Sequence, residues 1–99
     1  MFVHLVYFWL KPDNKQAARD QILKDAESLL KKIPAVRHLW CGQMVPSPRE
    51  VVDSTFDVGL CICYDDQAGH DAYQEHPLHK EFLARNKANF DRVRIYDFQ

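Results

Sequence analysis

The sequence lacks an excess of charge of either sign. Thirteen lysine and arginine residues stand against fourteen aspartate and glutamate residues, so the formal net charge is −1 over 99 residues. The basic residues are spread along the chain and do not gather into one patch. Nucleic acids and anionic membranes attract proteins through clustered positive charge. We therefore expect neither a nucleic acid nor a membrane as a partner.

Long apolar runs are also missing, because no stretch approaches the roughly 20 residues that cross a bilayer. The first apolar segment, residues 2–10, is short for a signal peptide, has no basic leader and contains His4. No internal repeat or low-complexity linker interrupts the chain, and 99 residues suit a single domain, residues 1–99. The expected location is cytoplasmic.

Cysteine is scarce and odd in number, with only Cys41, Cys61 and Cys63. Cys61 and Cys63 lie two residues apart on a predicted strand, without the two-residue spacer of a redox or zinc motif. Free, buried thiols in a reducing compartment are the favoured interpretation. Cys41 has no paired base in the sequence, so a nucleophilic role for it is not favoured.

What the sequence does have is a large apolar and aromatic content, 46% and 12% of residues, arranged with clear periodicity. Pro12 and Asp13 precede an amphipathic helix that places Asp25 on its polar side and ends at Pro34, with Asp13 as the expected N-cap. The other predicted elements are strands over residues 2–10, 36–45, 56–64 and 92–98, and a broken helix over residues 67–75 and 77 to about 89. This order predicts an α+β, ferredoxin-like βαββαβ fold with a four-stranded antiparallel sheet.

The first strand is apolar on both faces, which decides the expected assembly. His4, Val6 and Phe8 would face the helices, but the helices of such a fold cover only one side of the sheet. The other side would expose an apolar patch larger than monomers usually tolerate, formed by Val3, Leu5, Tyr7 and Trp9. The sequence therefore predicts a homodimer in which two sheets pack face to face, as in a dimeric α/β barrel.

The break in the second helix is the most informative local feature. Pro77 lacks an amide hydrogen and pushes His76 out of helical geometry, and proline also suits the first position of a new helix. In that new helix, His79 lies on the same face as Phe82 and Leu83. The apolar pair should be buried, and His79 should follow it inward.

Two interpretations of this inward histidine stay open from the residues alone. A kinked helix with a hydrogen-bonded histidine would serve packing only. Alternatively, His79 could act as a general base in an apolar pocket, with Tyr73 orienting it or donating to an oxyanion. The pocket would bind a small, mostly apolar molecule and would be lined by His4, Val6, Phe8, Val58, Leu60, Phe82, Val93 and Ile95.

Metal and cofactor sites are not predicted. A zinc site needs three or four ligands, and the proline break argues against a shared direction for His76 and His79, with His70 as the third candidate. His38 and His70 are expected at the surface or at an edge. Nothing in the sequence specifies haem.

The motif Tyr-x-x-His-Pro-x-His, from Tyr73 to His79 and followed by Phe82, resembles the signature of the stress-responsive dimeric α/β-barrel (Dabb) family. The likeness runs from residues 3–6, Val-His-Leu-Val, to residues 95–98, Ile-Tyr-Asp-Phe. It implies a dimer that pairs its sheets into one barrel. Most members are named for stress response, so a non-catalytic stress-response oligomer is the alternative function.

The resemblance also implies roles for single residues. A plant polyketide cyclase with this fold uses the second motif histidine as general base and the motif tyrosine as its helper. By position these are His79 and Tyr73, and His4 matches a pocket histidine on the first strand. Val58 and Ala26 stand where that cyclase has a further histidine and an aromatic residue, so its substrate is not implied.

Overall fold

The first strand lies at the centre of the sheet. In the computed structural model, which describes residues 1–99, β1 (Phe2–Leu10) pairs antiparallel with β3 (Val58–Tyr64) and with β4 (Phe90–Phe98). The strand β2 (His38–Gln43) pairs antiparallel with β3 at the other edge. The resulting strand order, β2-β3-β1-β4, is that of the ferredoxin-like fold.

Three helices complete the fold and cover one side of the sheet: α1 (Lys15–Ser28), α2 (Gln67–Glu75) and α3 (Pro77–Asn86). Short 3-10 turns follow α1 at Leu30–Lys32 and α3 at Lys87–Asn89. Along β1, every second side chain from Phe2 to Leu10 is buried, because successive side chains of a strand point to opposite faces. None of the three helices has the length and apolarity needed to cross a bilayer.

The start of α1 differs from the sequence-based expectation. The N-cap is Asn14, with φ 56°, and its side chain makes no capping hydrogen bond. The expected cap, Asp13, lies one residue too early, because the chain turns through a left-handed conformation that asparagine tolerates. The helix is also shorter than predicted, since the 3-10 turn takes up the residues before Pro34.

The strand boundaries shift around the loop of residues 44–57. The side chain of Asp57 accepts a hydrogen bond from the Leu10 amide at 2.8 Å, and its own amide donates to Phe8. Asp57 therefore ties the end of the loop to β1. The strands β2 and β3 are both shorter than predicted. The strand β4 is longer, because Phe90 already pairs with Leu10 across a register shift.

The proline break lies where the sequence predicts it, between α2 and α3. His76 is extended, with φ −68° and ψ 138°, and its Nδ1 accepts a hydrogen bond from the Leu78 amide at 3.1 Å. At the other end of α2, the Asp66 side chain accepts a hydrogen bond from the Gly69 amide at 3.0 Å. The break places Tyr73 near the end of α2 and His79 near the start of α3, and their rings pack against each other.

A buried carboxylate joins α1 to α3. Asp25 is 2% exposed and accepts hydrogen bonds at 2.9 Å from Arg85 Nε and from Asn86 Nδ2. The Asn86 amide also donates to the Phe82 carbonyl. The helical pattern placed Asp25 among solvent-facing residues, and that placement is wrong because the partners on α3 enclose it.

The opposite side of the sheet is uncovered in the single chain. We call this side the open face; on β1 it carries Val3, Leu5, Tyr7 and Trp9, all partly exposed. Large side chains on the edge strands are more exposed still, with Trp40 at 59% and Tyr96 at 55%. Arg92 on β4 lies over the Trp9 ring at 4.5 Å from its centroid.

Candidate functional site

A cavity of about 260 Å³ lies between the sheet and the broken helix. Its walls are mostly apolar, and four of its thirteen lining residues are polar: His4, Gln74, His79 and Lys87. The other nine are Val6, Phe8, Leu60, Tyr73, Phe82, Leu83, Phe90, Val93 and Ile95. An apolar space with a few polar groups is the usual construction of a small-molecule site.

The structure brings together nearly all of the residues that the sequence placed in a pocket. His79 and Tyr73 line the cavity, together with His4, Val6, Phe8, Leu60, Phe82, Val93 and Ile95. Val58 does not line it, because this side chain is fully buried in the core, at a position that pairs with Phe8 and Gln43. Val93 and Ile95 on β4 are the most exposed apolar residues of the lining, at 40% and 47%.

His79 has an unusual environment for a histidine. Its Nδ1 is buried and has no hydrogen-bond partner, and its ring packs against Tyr73 with 4.7 Å between the centroids. Burial lowers the pKa of His79, and the nearby His4 and His70 lower it further. A hydrogen-bonding interaction with the Gln74 backbone acts in the opposite direction. The imidazole is therefore neutral at pH 7 and free to accept a proton.

Tyr73 comes from α2, two residues before the helix ends, and is 2% exposed. Burial raises the pKa of Tyr73 above its ordinary value. The phenol therefore stays protonated at neutral pH and can act as a hydrogen-bond donor beside His79.

His4 is held by a carboxylate that the sequence analysis overlooked. Its Nδ1 is hydrogen-bonded to Asp97, the residue opposite it in the pairing of β1 with β4. Burial lowers the pKa of His4 although Asp97 acts to raise it. A signal for Asp97 was present in the alternation along β4, because it follows Val93 and Ile95 on the side of the sheet that faces the helices.

His70 lies deeper in the fold than the sequence predicts. It was expected at the surface or an edge, but its ring stacks on Phe2 at 4.8 Å and lies 5.0 Å from the His4 ring. Its position three residues before Tyr73 in α2 places both on one helix face, a spacing that could have revealed it.

The remaining candidates take no part in the cavity. His76 caps α3, as described above, and His38 is exposed and stacks on Trp40 at 5.4 Å. Burial raises the pKa of the Cys41 thiol to about 12, so it does not form a thiolate near neutral pH.

The lowered pKa values predict that acid destabilises the fold. The unfolded chain binds protons at His4 and His79 near pH 6.5, whereas the folded chain resists them, so stability is full above about pH 6.5 and falls as the pH drops toward the folded values. Urea unfolding between about pH 7.5 and about pH 5 should show this loss. The slope should be smaller in His79→Gln and unchanged in the exposed control His38→Gln; an equal slope in both variants contradicts the prediction.

Comparison with known proteins decides the family. A sequence profile of the stress responsive A/B barrel domain, Dabb, matches residues 2–99. The chain belongs to this family. A stress-response A/B barrel domain-containing protein of Arabidopsis thaliana is 32% identical to this A/B barrel domain over 97 residues, which cover 98% of this chain and 84% of the relative.

Solved structures show the same fold at low sequence identity. A dimeric ferredoxin-like protein of unknown function from Thermobifida fusca has a TM-score of 0.83 at 20% identity, covering 98% of this chain and 88% of its own. A hydroxynitrile lyase from Passiflora edulis also has a TM-score of 0.83, at 18% identity, covering 98% of this chain and 90% of its own. These similarities confirm the ferredoxin-like architecture and leave the chemistry of the site to its own residues.

Proposed function

We propose that this A/B barrel domain binds a small, mostly apolar molecule in the cavity and transfers a proton to or from it without a cofactor. His79 is the base and Tyr73 the hydrogen-bond donor. The observation that carries the proposal is the buried Nδ1 of His79, which has no hydrogen-bond partner in a residue that lines the cavity. Buried polar atoms are nearly always paired in folded proteins, so an unpaired one in a cavity points to a ligand.

A purely structural role for the motif explains His76 better than His79. The helix break needs its exposed amides capped, and His76 does this through Leu78. The sequence-based structural alternative assigned the pinning hydrogen bond to His79. The ring of His79 interacts with the backbone of Gln74 on α2, but its buried Nδ1 has no hydrogen-bond partner. Leaving a buried polar atom unpaired costs about 1–3 kcal/mol, which a structural role alone does not offset.

The geometry suits removal of a proton from an activated carbon or from a hydroxyl. His79 would take the proton, and the electron pair left behind would move onto a carbonyl or phenolate oxygen. The Tyr73 hydroxyl would stabilise that oxyanion by a hydrogen bond, and His79 would then return its proton to the product. A cyclase-like ring closure is one reaction of this type, and a lyase named for hydroxynitriles shares the fold.

The second candidate function is a non-catalytic stress-response oligomer. It is favoured by the name of the Arabidopsis relative and by the capping role of His76, which makes part of the motif structural. The two functions predict different effects of replacing His79 on the thermal midpoint. If His79 is structural, its replacement should lower the thermal midpoint by about 4–8 °C for each kcal/mol of stability lost. If His79 binds a ligand, its replacement should leave the midpoint nearly unchanged.

Binding of 4-nitrophenol tests the choice between these functions. This flat molecule carries one acidic hydroxyl, and its absorbance reports ionisation. We expect His79→Gln to weaken binding by about tenfold or more, because a hydrogen bond to a charged group is worth about 1.5–3 kcal/mol. Tyr73→Phe should weaken it less, and the exposed control His38→Gln should bind like the unaltered chain. Unchanged affinity in His79→Gln together with a lowered midpoint would establish the structural alternative.

We further propose that the open face mediates a homodimer. Two broad grooves, of about 490 Å³ and 430 Å³, lie on this face and are walled mainly by Leu5, Tyr7, Trp40, Phe56 and Tyr96. They are larger than the cavity beside His79, yet neither contains a histidine. A second sheet would bury them, and the relative from Thermobifida fusca is described as dimeric.

The cysteines support a proposed location in the cytoplasm. Cys41, Cys61 and Cys63 are all free thiols, and Cys63 is buried. Free thiols persist in reducing compartments, whereas small secreted domains usually rely on disulfides. We also propose that residues 1–99 act as one domain, in line with the extent of the family match.

A further inference from the structure

Three metal-ligating side chains meet beside the cavity, on three different elements. His4 comes from β1, His70 from α2 and Asp97 from β4, and one potential ligand atom of each lies within 4.8 Å of the other two. Their separations in the sequence give no hint of this cluster. The pairing of β1 with β4 brings His4 to Asp97, and the packing of α2 on the sheet adds His70.

We propose that His4, His70 and Asp97 bind one Zn²⁺ ion. Two imidazole nitrogens and one carboxylate oxygen form a donor set that zinc accepts, with a fourth position left for water or a ligand. Zinc holds such atoms at about 2.0–2.2 Å, which separates tetrahedral ligands by about 3.4 Å. Small side-chain rotations would close the widest gap in the cluster, and the hydrogen bond between His4 and Asp97 would open to admit the ion.

His70 is already oriented as a metal ligand. Its Nδ1 lies 3.1 Å from a carboxylate oxygen of Asp71, an interaction that places the proton on Nδ1 and the lone pair on Nε2. Metal-bound histidines commonly donate their second ring nitrogen to a carboxylate in this way. The side chain of Gln74 lies 3.4 Å from that Nε2 and would turn aside when an ion binds.

The cluster reaches from solvent to the interior. The Asp97 side chain is 37% exposed, that of His70 is 17% exposed and that of His4 only 3%. A hydrated ion can therefore meet the carboxylate first and exchange its water for the histidines. The centroid of the Tyr64 ring lies 5.6 Å from that of the His70 ring. The buried Tyr64 hydroxyl has no hydrogen-bond partner, so it is available for a hydrogen bond with a water in the fourth zinc position.

The proposed zinc site shares His4 with the wall of the cavity but uses neither His79 nor Tyr73, so the proposal does not rest on the proposed proton transfer. It also differs from a zinc site formed by the motif histidines, because His76 and His79 are not among its ligands. Its failure would leave the role of His79 intact, and the reverse also holds. The test therefore uses the metal alone, with no organic ligand.

Calorimetric titration of the untagged, metal-free protein with zinc chloride tests the proposal. We expect one ion per chain, with affinity reduced about 100-fold or more by His70→Asn and by the nearly isosteric Asp97→Asn. His38→Asn removes an exposed histidine elsewhere and should bind zinc like the unaltered chain, as should His79→Gln. With cobalt(II) in place of zinc, the visible absorption should appear in the unaltered chain and disappear in His70→Asn.

Two outcomes would overturn the zinc site. One is the absence of stoichiometric binding at micromolar protein. The other is an affinity that survives in folded His70→Asn and Asp97→Asn, since it would show that zinc binds to scattered surface groups. Circular dichroism establishes that each variant is folded before its titration is interpreted.

Discussion

Replacing Trp40 by aspartate should convert a dimer of this A/B barrel domain into a monomer at micromolar concentration. Trp40 is the most exposed large aromatic side chain of the open face and lies across from Cys61 on β3. In a two-fold interface the substitution introduces two carboxylates into an apolar contact. Burying an unpaired charge costs several kcal/mol of binding free energy, and a two-fold dimer would bury two such charges.

The measurement is sedimentation velocity at about pH 8. The matched control is Ala17→Asp, which adds the same charge to an exposed site in the first turn of α1, where a carboxylate suits the helix dipole. The control should remain dimeric. A Trp40→Asp protein that sediments like the control would show that the open face is not the interface.

Replacing Asp25 by alanine should lower the free energy of unfolding by about 2–4 kcal/mol. The loss leaves the fully buried Asn86 amide with one fewer acceptor and removes the hydrogen bond from the Arg85 side chain to α1. The Arg85 carbonyl keeps its hydrogen bond from Gln21 of α1. The Arg85 side chain is 48% exposed, so water replaces part of the lost interaction and the expected destabilisation is smaller than for a fully enclosed ion pair.

Urea denaturation measures this effect, with Asp20→Ala as the control. Asp20 lies on the same helix but is exposed, and its side chain accepts a hydrogen bond only from Gln16, so its loss should cost less than about 0.5 kcal/mol. If Asp25→Ala and Asp20→Ala unfold at the same urea concentration, the buried link contributes nothing to stability.

The fold could be predicted because its determinants are local. Alternation along residues 2–10 defines the central strand, and Pro77 alone defines the break between α2 and α3. The element order then leaves one familiar arrangement for a chain of this length. The apolar open face also follows from the sequence, since β1 has no polar side.

The site could be predicted only in part, because some of its contacts depend on register and depth. Alternation places Val58 on the same side of the sheet as Leu60. It does not show that the Val58 side chain is buried in the core and does not line the cavity. The partner of His4 depends on which residue of β4 lies opposite it. Asp25 lies among polar residues of α1, and only the packing of α3, some sixty residues later, encloses it.

The most direct test of the proposed function is an observation of the His79 ring itself. Histidine side-chain ¹⁵N spectra, recorded while 4-nitrophenol is added, report the protonation and hydrogen bonding of each ring nitrogen. We expect the His79 signals to move and saturate with the ligand, while those of exposed His38 stay fixed. Saturable binding that leaves the His79 signals unmoved would contradict a base poised in the cavity.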